Sequence, residues 1–303
     1  MRPGGGLLAG LRGRARGGWR APVPVIALCA PAGNLALPAA VAVIGRLRAR
    51  GGTPVAVMAG DSPTPERVAA VAQGDSPGCG AARLVAAFAP TWVARDPVAG
   101  IRAACHGAPS CVLLIGTPRD AAAHGDLSIA VIDAGRGPGG RVLWPLGRWC
   151  APVARAPGRA DLGLVIGPPA LQARFATRWG KAVPWPWLRG RMAALPTGMD
   201  WGGLRALVFS GAGEAGHLRA ALRALGAQVL RAVDLPGAAS PGPALAARLR
   251  REAALHGAQL VTTEADAARL PADLRREVLV LPMRLCVADW GAFDAALARL
   301  GAS

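Results

Sequence analysis

One lysine, Lys181, stands among 35 basic residues, and the rest are arginine. Chemistry that needs an ammonium group, such as a phosphate clamp, a Schiff base or an amine base, must use Lys181 or be absent. No glycine-rich turn precedes Lys181, so it does not belong to a phosphate loop. Four histidines (His106, His124, His217, His256) and six cysteines (Cys29, Cys79, Cys105, Cys111, Cys150, Cys286) are scattered along the chain. They form no Cys-x-x-Cys pair and no spacing that converges on a metal, so no metal site is expected and the cysteines read as reduced thiols. His217 and His256 fall in helical stretches and read as surface or half-buried residues. Thr263-Glu264-Ala265-Asp266, at a strand-to-helix junction, offers a hydroxyl and two acids where a helix start uses them for capping and for its dipole.

These side chains need a scaffold, and the apolar pattern supplies one. Short β-branched runs at residues 23–28, 53–58, 91–94, 111–115, 127–133 and 162–166 alternate with Ala/Leu/Arg stretches at 38–50, 64–73 and 81–88. That rhythm belongs to an α/β protein with a mainly parallel sheet flanked by helices. A Pro/Trp-rich stretch at 183–187 interrupts it and reads as a connection between domains. Beyond it, strands at 204–210, 227–232, 259–262 and 278–282 alternate with helices at 215–225, 243–256, 264–270 and 289–300, a smaller C-terminal α/β domain. The expected organisation is a flexible basic segment (1–18), a larger domain (19–200) and a smaller one (201–303).

With 52% apolar and 17% charged residues, the 303-residue chain can bury a core and does not read as disordered. No charge-free apolar run approaches about 18 residues, so no conventional membrane span is expected. The first residues, with Leu7, Leu8 and Leu11 amid glycine and arginine, are too weakly apolar for a secretory signal and suit at most contact with an anionic surface. A cytoplasmic chain, peripheral at most, is the expectation. The formal net charge of +17 raises nucleic-acid binding, but the arginines are dispersed and no DNA- or RNA-binding motif accompanies them, so that class is set aside.

Seven strings, read in order, carry a family likeness: residues 19–26 (WRAPVPVI), 33–35 (GNL), 89–96 (APTWVARD), 126–133 (DLSIAVID), 158–167 (GRADLGLVIG), 222–229 (LRALGAQV) and 260–270 (LVTTEADAARL). Together they resemble the tetraacyldisaccharide 4'-kinase family, whose members phosphorylate an acylated disaccharide with ATP in lipid A biosynthesis. The resemblance implies a P-loop kinase-like α/β domain followed by a smaller α/β domain, ATP and Mg²⁺ as cofactors, an anionic lipid A precursor as ligand, and a place at the inner face of the inner membrane.

Carried over residue by residue, the resemblance also shows where this sequence departs. Gly33 and Asn34 match the approach to the family's phosphate loop, and Thr263, Glu264 and Asp266 match its Thr-Glu-Lys-Asp motif, so these five are the expected nucleotide-binding remnants. After Leu35 the family continues into Gly-Gly-x-Gly-Lys-Thr, whereas here Ala36, Leu37 and Pro38 follow, as though about six residues had been excised. Its paired aspartates fall on Ile115-Gly116-Thr117-Pro118-Arg119, with Asp120 nearby as a loop acid. Its base-dyad aspartate falls on Cys79-Gly80-Ala81 without gaps, and on Asp75 only with a short insertion. Asp75 is thus the one carboxylate left for catalysis. The dyad's histidine falls on Pro236-Gly237-Ala238-Ala239. Phosphoryl transfer rests on positioning and electrostatics, so losing these groups together removes the means of catalysis. The leading expectation is a family scaffold without kinase chemistry, holding a lipid precursor or a protein partner. An active enzyme with an unconventional ATP site and an arginine-driven polyanion binder are the alternatives.

Overall fold

Strand β1 (Val25–Cys29) is buried along its whole length, and a strand without a solvent face belongs inside a sheet covered on both sides. It pairs in parallel with β5 (Cys111–Gly116) on one flank and β6 (Leu127–Asp133) on the other. Outward from β5 lie β2 (Pro54–Ala59), β4 (Thr91–Ala94) and β3 (Ala69–Ala70). Outward from β6 lie β7 (Leu162–Ile166), β8 (Trp187–Ala194) and β13 (Met283–Val287), completing nine strands. Among the described residues, only the two edge pairings, β3 with β4 and β13 with β8, are antiparallel. The computed structural model describes residues 19–30, 35–59, 68–71, 80–116, 125–137, 160–181, 183, 185–211, 214–235 and 241–301.

Helices α1 (Ala36–Ala49), α2 (Gly80–Ala86) and α9 (Gly291–Leu300) cover one face, where Ile26, Leu28, Leu113 and Ile129 meet Ile44 and Phe293. Helices α3 (Pro97–Cys105) and α4 (Pro169–Trp179) cover the other, against Val57, Ile101 and Leu114 and against Ile132, Val165 and Phe175 respectively. The second unit is a four-stranded parallel sheet in the order β10 (Gln228–Asp234), β9 (Arg205–Ser210), β11 (Gln259–Thr263), β12 (Val278–Leu281). Helix α5 (Ala215–Ala224) packs on one face around Val208 and Leu218, and α6 (Pro243–Leu255) on the other around Phe209 and Leu249. Two one-turn helices, α7 (Glu264–Ala267) and α8 (Ala272–Arg275), complete it. The α/β class and mainly parallel sheet match the sequence expectation.

Several elements differ from it. The stretch read as a helix at 64–73 contributes Ala69 and Ala70 to an antiparallel edge pairing with Val93 and Trp92. The stretch read as an interdomain connection runs into β8, whose sequence WLRGRMAA lacks the β-branched residues that advertise a strand. Strand β13 follows β12 after one proline, and that proline hides a jump from the smaller sheet to the larger. Residues 283–301, grouped by the sequence reading with the second domain, thus complete the first: Leu285 and Phe293 join its core, and Asp294 pairs with Arg46 and Arg50 of α1.

Candidate functional site

In an open α/β sheet, ligands bind beyond the carboxyl ends of the strands, where the order of winding reverses. Here the chain leaves β1 toward β2 on one side and later returns to β6 on the other, so the switch point lies at the ends of β1 and β6. Six residues, 30–35, join β1 to α1. A phosphate loop, Gly-x-x-x-x-Gly-Lys-Ser/Thr, also places six residues ahead of its lysine. In that register Ala30 and Leu35 stand at the glycines, Ala36 at the lysine and Leu37 at the hydroxyl. The lysine and hydroxyl positions of that register carry aliphatic side chains, and residues 31–34, beside which the expected excision falls, lie outside the described residues. Leu37 is buried among aliphatic side chains, and α1 begins with no side-chain cap and no acidic residue in its first turn.

Lys181 lies away from the switch point. It follows α4 and precedes β8, and the end of a helix that leads into a parallel strand lies at the amino edge of the sheet, opposite the switch point. Ile115 and Gly116 end β5 beside β1 and bring no carboxylate to the position expected of the paired aspartates.

Across a groove from the start of α1 lies the turn from β11 into α7. Leu37, Val41, Phe88, Met192 and Met283 make the groove apolar, and Thr263 and Glu264 edge it. Of the five expected nucleotide-binding residues, the structure therefore brings Thr263 and Glu264 to the groove, but their polar groups are engaged. Thr263 caps α7, its Oγ1 accepting the Asp266 N–H and lying 2.8 Å from Asp266 Oδ2. Asp266 is buried; its Oδ2 also accepts the Ser210 hydroxyl at 2.6 Å and the Gly211 N–H at 3.0 Å, while Arg269 pairs with Oδ1. Glu264 is paired with Arg284, whose guanidinium stacks 5.6 Å above the Phe88 ring. Gly33, Asn34, Asp75 and Asp120 lie outside the described residues. Among those described, no group of three or more His, Cys, Asp or Glu side chains is placed to hold a metal ion.

At the end of β6 the structure shows a pair that the sequence reading missed. His217, expected at the surface or half-buried, is only 7% exposed, and its Nε2 lies 3.2 Å from Asp133 Oδ2. Burial pushes the Asp133 carboxyl upward, but the His217 hydrogen bond and charge, with the N–H groups of Gly135 and Arg136, outweigh it and hold the group below its usual range. Next to this pair Arg136 bridges to Asp234 at 3.2 Å, and Asp234 accepts the Ala215 N–H at the start of α5. The two members of the pair are 84 residues apart in sequence, so no local spacing announces it. His256 lies exposed on the far side of the second unit.

A family model described as tetraacyldisaccharide-1-P 4'-kinase matches residues 9–301, almost the whole chain. The chain belongs to that family. A tetraacyldisaccharide 4'-kinase of Jannaschia sp. is 40% identical over 305 residues, covering 96% of this chain and 91% of the relative. One from Dinoroseobacter shibae is 47% identical over 238 residues, covering 78% of this chain and 69% of its own. Among solved structures, LpxK from Aquifex aeolicus, determined in complex with ATP, superposes with a TM-score of 0.58 over 94% of this chain and 91% of its own. At 16% identity that likeness speaks for the fold, a P-loop kinase fold, and for the fold alone. As a member of the tetraacyldisaccharide-1-P 4'-kinase family, this chain has the family's fold, with Asp133 and His217 paired at the end of β6. No helix among the described residues is long and apolar enough to cross a membrane.

Proposed function

We propose that this chain is a degenerate member of the tetraacyldisaccharide 4'-kinase family that keeps the scaffold and lacks phosphoryl transfer. The observation that carries this reading is the β1–α1 junction, where Ala36 and Leu37 occupy the places of the phosphate-binding lysine and the metal-holding hydroxyl. ATP with Mg²⁺ does not fit the residues present. The one cation lining the described groove, Arg284, is neutralised by Glu264, and the walls are otherwise largely apolar. A polyphosphate placed there would lose hydration without gaining counter-charges. The ligand that suits the reading is an acylated, anionic disaccharide of the lipid A precursor class, met at the inner face of a membrane, or a protein partner that recognises the retained scaffold.

Calorimetric titration with ATP and Mg²⁺, run beside the Jannaschia relative, tests the nucleotide half of this reading. No saturable heat is expected from this chain where the relative binds. Binding of comparable affinity would overturn the reading. A second reading, an active kinase with an unconventional site, draws on the names of the relatives and on the buried His217–Asp133 pair, an imidazole–carboxylate couple of the kind that serves as a base. It requires transfer of phosphate to tetraacyldisaccharide 1-phosphate, and loss of that transfer on replacing His217 by glutamine.

A further inference from the structure

We propose that the free edge of β10 is a self-association surface, on which a second copy of this chain pairs its own β10 antiparallel about a two-fold axis. Strand β10 ends the small sheet: β9 lies on one side of it, and no strand among the described residues lies on the other. Its outer N–H and C=O groups form a row whose natural complement is another extended strand. None of its seven residues is buried, although β9 beside it is buried from Ala206 to Ser210. Five large apolar side chains stand exposed among the described residues, and three of them flank this strand: Leu225 (39%) just before it, Leu230 (44%) within it and Leu255 (78%) at the end of α6. Single exposed leucines mean little, but a cluster along an open edge marks a contact surface. Beside Leu230 a concavity of about 420 Å³ opens between β10 and the end of α6, with Leu207 and Ala258 in its lining.

Edge strands are normally kept apart by charge, proline or a bulge. Here the bulge between Val229 and Arg231 turns a leucine, Leu230, to solvent, and the strand contains no proline. Its two charges are matched within the chain, Arg231 by Glu252 of α6 and Asp234 by Arg136. That balance selects the partner. A chain of formal net charge +17 repels its own copy wherever arginines stand unmatched, and β10 offers an edge where that repulsion is reduced. A two-fold axis through Ala232 also keeps the faces of the two sheets in register. Val229 and Ala232 lean toward the α5 core and Val233 toward the α6 core, so Val233 of one copy comes opposite Arg231 of the other on the α6 face. The two Arg231–Glu252 pairs then stand side by side across the axis with their charges alternating, and the concavity beside Leu230 receives side chains of the second copy. The two four-stranded sheets become one continuous sheet.

Sedimentation equilibrium of the full chain at about 50 μM tests this. The mass expected is twice the 30.7 kDa of one chain. Leu230→Lys sets two like charges against the shared edge and should weaken association by about tenfold or more. Leu230 is exposed, so that variant is expected to keep the native urea midpoint. Ala232→Cys reads the pairing itself. At the axis the two thiols meet across a Cα separation of about 5 Å, and mild oxidation should link the copies. Gln228→Cys, away from the axis, and the native chain with its own cysteines should not link. A native chain of monomeric mass overturns the proposal, even one that captures a strand of another protein. So does a dimer that Leu230→Lys leaves unchanged, or one in which Ala232→Cys cross-links no more than Gln228→Cys. If Leu230→Lys does not fold, the native mass and the cross-link decide it.

Discussion

Asp266 occupies a place where the family carries a nucleotide motif, yet every contact it makes is internal. Itself 3% exposed, it gathers the Ser210 hydroxyl, the Gly211 N–H and Thr263 onto one oxygen and Arg269 onto the other. Its value is to tie the loop after β9 to the start of α7. Asp266→Ala would leave a half-buried guanidinium and several buried donors without partners, and should cost about 3 kcal/mol in urea unfolding. A cost below about 1 kcal/mol would show that the network is dispensable. Part of the site was legible in the sequence: Thr263 reads as a cap because a hydroxyl followed three residues later by an acid is a local signal, and the structure has that cap. The His217–Asp133 pair was not legible, because it joins two units and its meaning depends on how their sheets are tethered. The fate of the phosphate loop was half legible. The absence of lysine and hydroxyl shows in the residue types, while the expected excision borders residues outside those described.

Among elements, those with strong local punctuation are most easily read, yet α3 and α4, both opened by proline, went unread. Helix α3 opens with Asp96 followed by Pro97, an N-cap and a proline at the first helical position, and Asp96 Oδ1 accepts the Val98 N–H at 3.0 Å. Asp96→Ala should destabilise the chain by about 1 kcal/mol, seen as a shift in the urea midpoint with unchanged slope. An unchanged midpoint would mean that packing on the sheet, not the cap, sets the start of α3. Packing there is close: a Cβ on Gly100 would come within 2.7 Å of Val57 Cγ1. Strands β8 and β13 were beyond sequence reasoning for a different reason. β13 is the edge strand of the large sheet and β8 its neighbour, exposed or half-exposed residues interrupt their apolar ones, and tertiary pairing rather than propensity makes them strands.

At the scale of the molecule, the C-terminal return holds the chain together. Phe293 of α9 is fully buried in the large core, and Asp294 is held by Arg46, with Arg50 close by. The Arg46 hydrogen bond and charge keep Asp294 below the ordinary aspartate value of 3.8, and Asp133 is shifted the same way against the upward push of burial. Groups whose folded value lies below the unfolded one add stability above about pH 4 and lose it as pH falls through the folded values. Urea midpoints should therefore decline below about pH 4, and a midpoint unchanged at about pH 3 would deny these carboxylates their part. The same scaffold surrounds a switch point without lysine or hydroxyl at the phosphate-loop positions. The central claim is that phosphoryl transfer has been lost while the architecture has been kept. Incubation of the purified chain with radiolabelled ATP, Mg²⁺ and tetraacyldisaccharide 1-phosphate, beside the Jannaschia relative, tests it most directly. The account predicts labelled disaccharide from the relative and none above the protein-free background from this chain; labelled product that grows with the amount of this chain would contradict it.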